Sequence, residues 1–287
     1  MTHSALASLP LAWQSWVVDN LARACAAEDM ARIMIEQGRF ERALAHAAIE
    51  DARRSALLRT GIAPAVHAVP VALPAIDTSA NAVAAGDRQV GIVAAVAAPR
   101  IVVVSNLLSH EECDALEAHA ALRMERSPVV ASGDGANQVH AHRTSRGAMF
   151  QRGESELIDR IERRLAALVQ WPVERGEGLQ VLRYEKGDEY RPHYDWFDPT
   201  QPGPRRHMEH GGQRVATIVI YLSDVEAGGG TSFPNLGLDV HPRKGGAVFF
   251  ANLDPDGKPD GQTLHAGMPV VRGAKTIATK WLRERTY

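Results

Sequence analysis

The sequence predicts an α+β chain: a double-stranded β-helix (jelly roll) with supporting helices, preceded by a small all-helical unit. Three observations predict it. Helical periodicity runs through the first sixty residues and returns in two segments between 109 and 171. A Pro-rich stretch without period separates the first part from the rest. Beyond residue 178, short β-type runs follow one another, divided by Gly/Pro turns with no helical pattern between them. Helices first and strands afterwards suit antiparallel sheets packed face to face, not alternating βα units.

Residues 1–60 read as a helical unit. Trp13, Trp16, Val17, Leu21 and Ala24 fall on one stripe of a 3.6-residue period, and Phe40, Ala43, Leu44 and Ala47 form another. Between them "EDMARIMIEQG" opens with acids and stops at Gly38, which serves as its C-cap. Nothing in this unit carries chemistry. Its expected role is packing or self-association, as a homodimer through the N-terminal helices.

Residues 61–88 are rich in Ala, Pro and Val, and Pro64, Pro70 and Pro74 argue against a continuous helix or a central strand. The stretch reads as a linker, partly extended. The remaining residues, 89–287, form the main domain. "GIVAAVAAP" and "RIVVVSN" read as strands. "SHEECDALEAHAALRM" reads as a helix with Ser109 as N-cap and Glu112 at the capping-box position. A second helix is expected over "ESELIDRIERRLAALVQW", then strands at "LQVLRYE", "YRPHYDW", "RVATIVIYLSD", "GAVFFANL" and "KTIATKWLRER".

Composition removes several classes of function. In 287 residues, 45% are hydrophobic and 23% charged, which is ordinary for a soluble globular protein. A net charge of −2 gives no electrostatic case for nucleic acid or an anionic membrane. No run approaches the roughly 18 apolar residues of a membrane span. Cys25 and Cys113 are no disulfide framework, and the first twenty residues lack a basic stretch followed by an apolar one. A cytoplasmic location is expected.

The chemistry concentrates around "RPHYDWFDP". His193 and Asp195, two apart on an expected strand, share a face. Such a pair can bind a metal, act as a base with its orienter, or face water. Downstream, "GQTLHAGMPVVRGAKTIATKW" supplies His265 and Lys275. His-x-Asp with a distant His is the 2-His-1-carboxylate set that leaves open positions on a non-haem Fe(II). The lack of thiolates argues against a structural zinc site. Alternation along "KTIATKW" puts Lys275, Ile277, Thr279 and Trp281 on one face and Lys280 on the other. A lysine heading an apolar face is costly unless an anion pairs with it.

Residues from about 89 onward resemble the catalytic domain of the prolyl 4-hydroxylase family, within the Fe(II)/2-oxoglutarate-dependent dioxygenases. The resemblance is carried, in order, by "LLSHEECDAL", "RTSRGAMF", "LQVLRYEKGDEYRPHYDWF", "RVATIVIYLSDVEAGGGTSFP", "GGAVFFANLDPDG" and "TLHAGMPVVRGAKTIATKW". It implies His193, Asp195 and His265 as iron ligands. It implies Lys275 as the anchor of the distal carboxylate of 2-oxoglutarate, with Tyr184 and Thr217 as hydrogen-bonding partners. Tyr190, Arg143 and Trp281 are the residues to look for near a substrate, although strand parity turns Tyr190 away from the ligand pair. The implied reaction consumes O2 and 2-oxoglutarate, releases succinate and CO2 and hydroxylates a C–H bond, with ascorbate as reductant.

A peptide or protein substrate, most simply a prolyl residue, is expected over a free amino acid. A free amino acid carries two charges that each want a buried partner, and "SGDGANQ" has the content of a loop that covers an extended peptide. The competing readings are the same chemistry on a free amino acid or a non-proline side chain, a non-catalytic binding protein, and a jelly-roll metalloenzyme without 2-oxoglutarate. Two local departures stand out. "GGGTSFP" has Gly230 where family members often carry an acid, and the Pro- and charge-rich loop 197–213 is expected to be a mobile lid. His207 and His210 in "HMEH" read as solvated loop residues, and His140 and His142 as residues of a substrate channel or an exposed loop.

Overall fold

Apolar side chains on both faces of the long strands require a covering layer on each side of the sheet. The computed structural model, which describes residues 4–22, 27–59, 73–126, 129–130, 137–138 and 145–287, supplies both layers. It divides into two units, Met1–Val69 and Pro70–Tyr287.

The first unit holds α1 (Leu11–Ala22), α2 (Ala27–Glu36) and α3 (Arg42–Arg59). Val17, Met30, Ala31, Met34 and Ile49 form its core, with Trp13 packed edge-on against Trp16 and Phe40. Two expectations shift here. The buried face of α3 is Ala45, Ala48, Ile49 and Ala52, while Ala43 and Ala47 are exposed. Alanines occur all round this helix, so its stripe is ill-defined until Ile49 chooses a side. The left-handed residue after α2 is Arg39, at φ 56°, and not Gly38. Ala24 lies outside the described residues.

The second unit runs β1 (Ala82–Ala85), β2 (Arg88–Val96), β3 (Ile101–Ser105), α4 (His110–Ala121), β4 (Glu125–Arg126), β5 (Val129–Val130), β6 (Asn137–Gln138), β7 (Arg146–Phe150) and α5 (Glu156–Val169). It continues with β8 (Gly176–Tyr184), β9 (Tyr190–His193), α6 (Pro202–Glu209), β10 (Arg214–Tyr221), β11 (Ala227–Gly228), β12 (Thr231–Phe233) and β13 (Leu238–Val240). It closes with β14 (Ala247–Ala251), β15 (His265–Gly267), β16 (Val270–Arg272) and β17 (Lys275–Arg283). A nine-stranded sheet has the order β1-β2-β3-β14-β10-β17-β8-β7-β4, and a four-stranded sheet the order β13-β12-β15-β9.

Side-chain alternation assigns the two faces of the large sheet. Ala216, Ile218 and Ile220 of β10, with Ala278 and Leu282 of β17, pack in one core with Leu116 of α4 and Ile158, Ile161 and Leu165 of α5. Val219 and Tyr221 of β10, Ile277 of β17, and Leu182 and Tyr184 of β8 face the other way, into a second core with Phe233 and Val240 of the small sheet. Helices, large sheet and small sheet therefore form three layers. The site lies between the two sheets.

The helix starts follow the expected chemistry. Ser109 Oγ accepts from the Glu112 amide while the Glu112 carboxylate accepts from the Ser109 amide, a complete capping box at α4. Arg164 of α5, fully buried, ties the layers together by pairing with both Asp87 and Glu112. On β17, Lys280 points to the helix side and pairs with Glu162, opposite in direction to Lys275.

The stretch expected to be a linker is partly domain. Ile76 is 1% exposed in the main core, Ala75 N donates to Val169 O, and Arg100 donates to Ile76 O. β1 pairs with β2 through a two-residue turn at Gly86 and Asp87, with Gly86 at φ 64°. The Ala-rich composition hides this hairpin because its strand residues are too small to show alternation. The loop after Asp195, expected to be a mobile lid, contains α6 and is tied at its far end. Gln213 brackets the Phe197 backbone, donating to its carbonyl and accepting from its amide, both at 2.7 Å. Arg283 donates to the carbonyls of His207, His210 and Gly212.

Candidate active site

β9 and β15 are neighbours in the small sheet, and their register puts His193 directly opposite His265. The two rings lie 4.3 Å apart between centroids. Asp195 follows two residues after His193, just past the end of β9, and turns inward. Its Oδ1 is 3.7 Å from His193 Nε2 and its Oδ2 is 3.6 Å from His265 Nε2. One ligand atom from each of the three residues can be chosen so that all lie within 4.8 Å of one another, the spacing of a site that can hold a metal ion.

Backbone carbonyls select the tautomer of both histidines. His193 Nδ1 lies 2.8 Å from Arg191 O, and His265 Nδ1 lies 3.0 Å from Thr263 O. A carbonyl only accepts, so each Nδ1 carries the proton and each Nε2 presents a lone pair to the triad. This is the outer support that metal-ligating histidines require. Burial pushes the Asp195 carboxyl upward, but the facing His265 and His193, the Arg214 charge and the Thr217 hydroxyl outweigh it and hold it at about 2. A carboxylate and two oriented imidazoles without thiolate form a donor set suited to Fe(II), and these residues fit the ion that the sequence implies.

An open pocket adjoins the triad, which lines it. Its far wall carries Lys275, 1% exposed, whose partner in the β17–β8 register is Tyr184. Among the described residues, no carboxylate or hydrogen-bond acceptor engages the ammonium; burial pulls its pKa down to about 8. Ile277, Thr279 and Trp281 line the same wall, as alternation predicts. The Lys275 stem passes close to Gly229, where a Cβ would stand 3.3 Å from Lys275 Cδ. A Cβ at Gly267 would stand 3.6 Å from the ammonium itself. Both glycines keep space around the cation.

Two placements differ from expectation. Thr217 does not line the pocket: its hydroxyl donates to Asp195 Oδ2 at 2.8 Å and accepts from Asn252 Nδ2 at 3.1 Å. Its hydroxyl proton is committed to the Asp195 carboxylate. Tyr190 does not face away. Its ring stacks on His193 with centroids 3.6 Å apart, and it lines the pocket. The β15–β9 register shifts between His265 and Gly267, which breaks the simple parity that sequence spacing assumes.

Trp281 lines the pocket, with the Arg214 guanidinium 4.0 Å over its ring. Arg143, His140 and His142 lie outside the described residues. His207 stacks on Phe197 and His210 packs against Tyr287; neither joins a metal cluster among the described residues. At Gly230, a Cβ would stand 3.1 Å from Met268 Sδ and 3.3 Å from Val240 O, so the position is closely surrounded. Sequence reasoning misses Asn252 and Arg214. The first reads as a turn former closing an apolar strand, and the second as the charged start of one.

Residues 179–283 match the family model described as the 2OG-Fe(II) oxygenase superfamily. The chain is 41% identical over 208 residues to "Probable prolyl 4-hydroxylase 3" of Arabidopsis thaliana, covering 66% of this chain and 71% of that protein. It is 40% identical to "Prolyl 4-hydroxylase 5" of the same plant, over 66% and 70% of the two chains. In three dimensions it is similar to the viral collagen prolyl hydroxylase of Paramecium Bursaria Chlorella virus-1, solved as a 2OG complex. That match has a TM-score of 0.50 and 32% identity, covering 64% of this chain and 95% of the other. The jelly-roll expectation holds, and with the matched segment spanning the strands that carry Lys275, His265 and His193, the chain belongs to the prolyl 4-hydroxylase family of 2OG-Fe(II) oxygenases.

Proposed function

We propose that this chain hydroxylates a prolyl residue within a peptide or protein, with His193, Asp195 and His265 holding Fe(II) and Lys275 anchoring 2-oxoglutarate. The observation that carries the reading is Lys275, a buried cation without a counter-ion among the described residues, set in the wall of a pocket that also contains the triad. Burying an unpaired ammonium is costly, and a dicarboxylate removes the cost.

When bound, Fe(II) and 2-oxoglutarate together supply the oxidant, consuming O2 and releasing succinate and CO2. The chain's own groups prepare the site. The carbonyls of Arg191 and Thr263 hold the two imidazoles with Nε2 inward, and Thr217 fixes the Asp195 carboxylate. Lys275, with Tyr184 beside it, holds the distal carboxylate of the cosubstrate. Leu182, Val219 and Ile277 keep that end of the pocket dry, which strengthens the ion pair. Tyr190 and Trp281 supply flat apolar surface for a pyrrolidine ring.

Arg214 favours a peptide over a free amino acid. It is a large cation close to the pocket wall, but its Nε and Nη2 donate side by side to the Glu177 carboxylate, at 2.6 and 2.8 Å, which neutralises it. Among the described residues it therefore has little charge to offer a substrate carboxylate. A cytoplasmic setting and ascorbate as reductant belong to the same proposal, in keeping with Cys113 being a buried free thiol. The test is succinate release by the full chain with Fe(II), 2-oxoglutarate and ascorbate, and product mass for proline-containing peptides beside free L-proline. Gain of one oxygen on peptide is expected. Hydroxylation of the free amino acid alone overturns the peptide reading and leaves the iron chemistry intact.

A further inference from the structure

Thr217 carries one hydroxyl proton, and two buried side chains flank its oxygen. Oγ1 lies 2.8 Å from Asp195 Oδ2 and 3.1 Å from Asn252. An ionised carboxylate accepts and cannot donate, so the proton belongs to the Asp195 contact. Asn252 must then present its NH2. With the amide turned the other way, Thr217 would face two acceptors with one proton, and one contact would set oxygen against oxygen. Hydrogen-bond direction is thus fixed along the whole chain, from Asn252 Nδ2–H to Thr217 Oγ1–H to Asp195 Oδ2.

The backbone holds this chain in place. Asn252 N donates to Val215 O at 2.9 Å, and Asn252 O accepts from Asp260 N at 3.0 Å. Thr217 is paired with Phe250 in the β10–β14 register, two residues before Asn252. Asn252 and Thr217 are both fully buried. Among the described residues, Asp195 Oδ1 receives no hydrogen bond from a hydroxyl or N–H, and His193 Nε2 lies 3.7 Å from it.

We propose that Thr217 and Asn252 are positioning residues that commit Oδ2 of Asp195 to the protein and leave Oδ1 as the metal-binding oxygen. The inference rests on the reading of the triad as the Fe(II) site. The Cβ–Cγ torsion of an aspartate is soft and roughly two-fold. Without a donor on one oxygen, the carboxylate turns and offers both oxygens to one cation. Outer donors of this kind are worth about 10- to 100-fold in metal affinity.

The experiment measures Co(II) binding to the full chain by titration, with the visible absorption of the bound ion as the second readout. Melting temperatures check that each variant folds. Thr217→Val removes the hydroxyl at constant volume. It should weaken Co(II) binding about 10- to 100-fold and alter the absorption. Thr217→Ser, which keeps the hydroxyl, should restore both. Asn252→Asp replaces the donor by an acceptor of the same size, draws the proton away from Asp195, and should behave like Thr217→Val. Wild-type affinity and absorption in Thr217→Val, or a Thr217→Ser variant as weak as the valine one, overturns the proposal. Where Thr217→Val folds and is weak, wild-type behaviour of Asn252→Asp overturns the role of Asn252 alone. If Thr217→Val does not fold, the serine and Asn252→Asp variants decide: normal and weak, respectively, supports the relay, and any equality between them overturns it. Asp195→Ala separates the two readings. Wild-type Co(II) binding in that variant refutes the triad as the metal site, whatever the Thr217 variants do.

Discussion

Lys275 and Tyr184 are cross-strand partners in the β17–β8 ladder, and the lysine ammonium sits 4.5 Å above the centre of the tyrosine ring. Among the described residues, the ring face is the only stabilising partner of that charge. A cation–π contact offsets about 0.5–2 kcal/mol, less than the cost of burying an ammonium. The site is therefore built with a cation waiting for its anion.

Replacing Lys275 by Met keeps the volume of the side chain and removes the charge. A charge-assisted hydrogen bond is worth roughly 1.5–3 kcal/mol, so the affinity for 2-oxoglutarate should fall about 10- to 100-fold. Calorimetric titration of the metal-loaded protein checks it. An unchanged affinity would show that another residue anchors the distal carboxylate.

The same lysine sets a pH dependence. Burial lowers its folded-state pKa to about 8, from 10.5 when unfolded. Below pH 8 both states are charged and the folded form bears the full burial cost. Between about 8 and 10.5 the unfolded chain holds more protons, so this group's contribution to stability rises with pH. Binding of 2-oxoglutarate runs the other way: it needs the ammonium, so affinity should be flat near pH 7 and fall above about 8. Affinity that grows between pH 8 and 9 would contradict the assignment.

Ile76 and β1 are predicted to be required by the second unit. A chain starting at Pro70 should melt cooperatively. One starting at Arg88 lacks Ile76, β1 and the Asp87 partner of Arg164, and should be less stable by several kcal/mol, about 2–5 from the lost isoleucine alone. For a unit of this size that lowers the melting temperature by roughly 4–20 °C. Equal melting temperatures for the two chains would return residues 73–87 to the status of a linker.

Arg164→Ala should be among the most destabilising substitutions outside the site, at about 3–5 kcal/mol, since it removes a fully buried guanidinium that pairs with both Glu112 and Asp87. Burial opposes ionisation of Glu112, yet the Arg164 hydrogen bonds, the Ser109 amide and the Arg160 contact hold its carboxyl down at about 2. That stabilisation is complete above about pH 4.5 and is lost as pH falls through 2. The stability gap between wild type and variant should therefore shrink over that interval. A gap independent of pH would mean the arginine acts through packing alone.

The sequence is most legible where period and chemistry coincide. Alternation along "KTIATKW" correctly separates Lys275 from Lys280, because the central strand is covered on both faces and each face has a distinct environment. The capping box at Ser109 and Glu112 is local and needs no tertiary information. Tyr190 is misread because the register shift beside it is set by the partner strand and not by its own spacing. The Thr217–Asp195 bond cannot be read from the sequence because Asp195 follows β9, a strand of the other sheet. Asn252 stays invisible because its partner, Thr217, stands on the neighbouring strand β10, far away in sequence. The β1 hairpin is hidden in a run of alanines, where neither polarity nor size marks a face.

The two histidines of the triad stand on the small sheet, while Lys275 and Thr217 stand on the large one. The triad comes from the small-sheet side and the cation from the large sheet, so neither sheet alone carries the whole site, and the Thr217–Asp195 hydrogen bond spans the join. Binding competence is therefore a gauge of sheet-to-sheet docking and not of secondary structure. In a state that keeps its strands but loosens that docking, as acid or mild denaturant produces, cosubstrate binding should vanish together with the near-ultraviolet dichroism of Trp281 and Tyr184, while the far-ultraviolet signal persists.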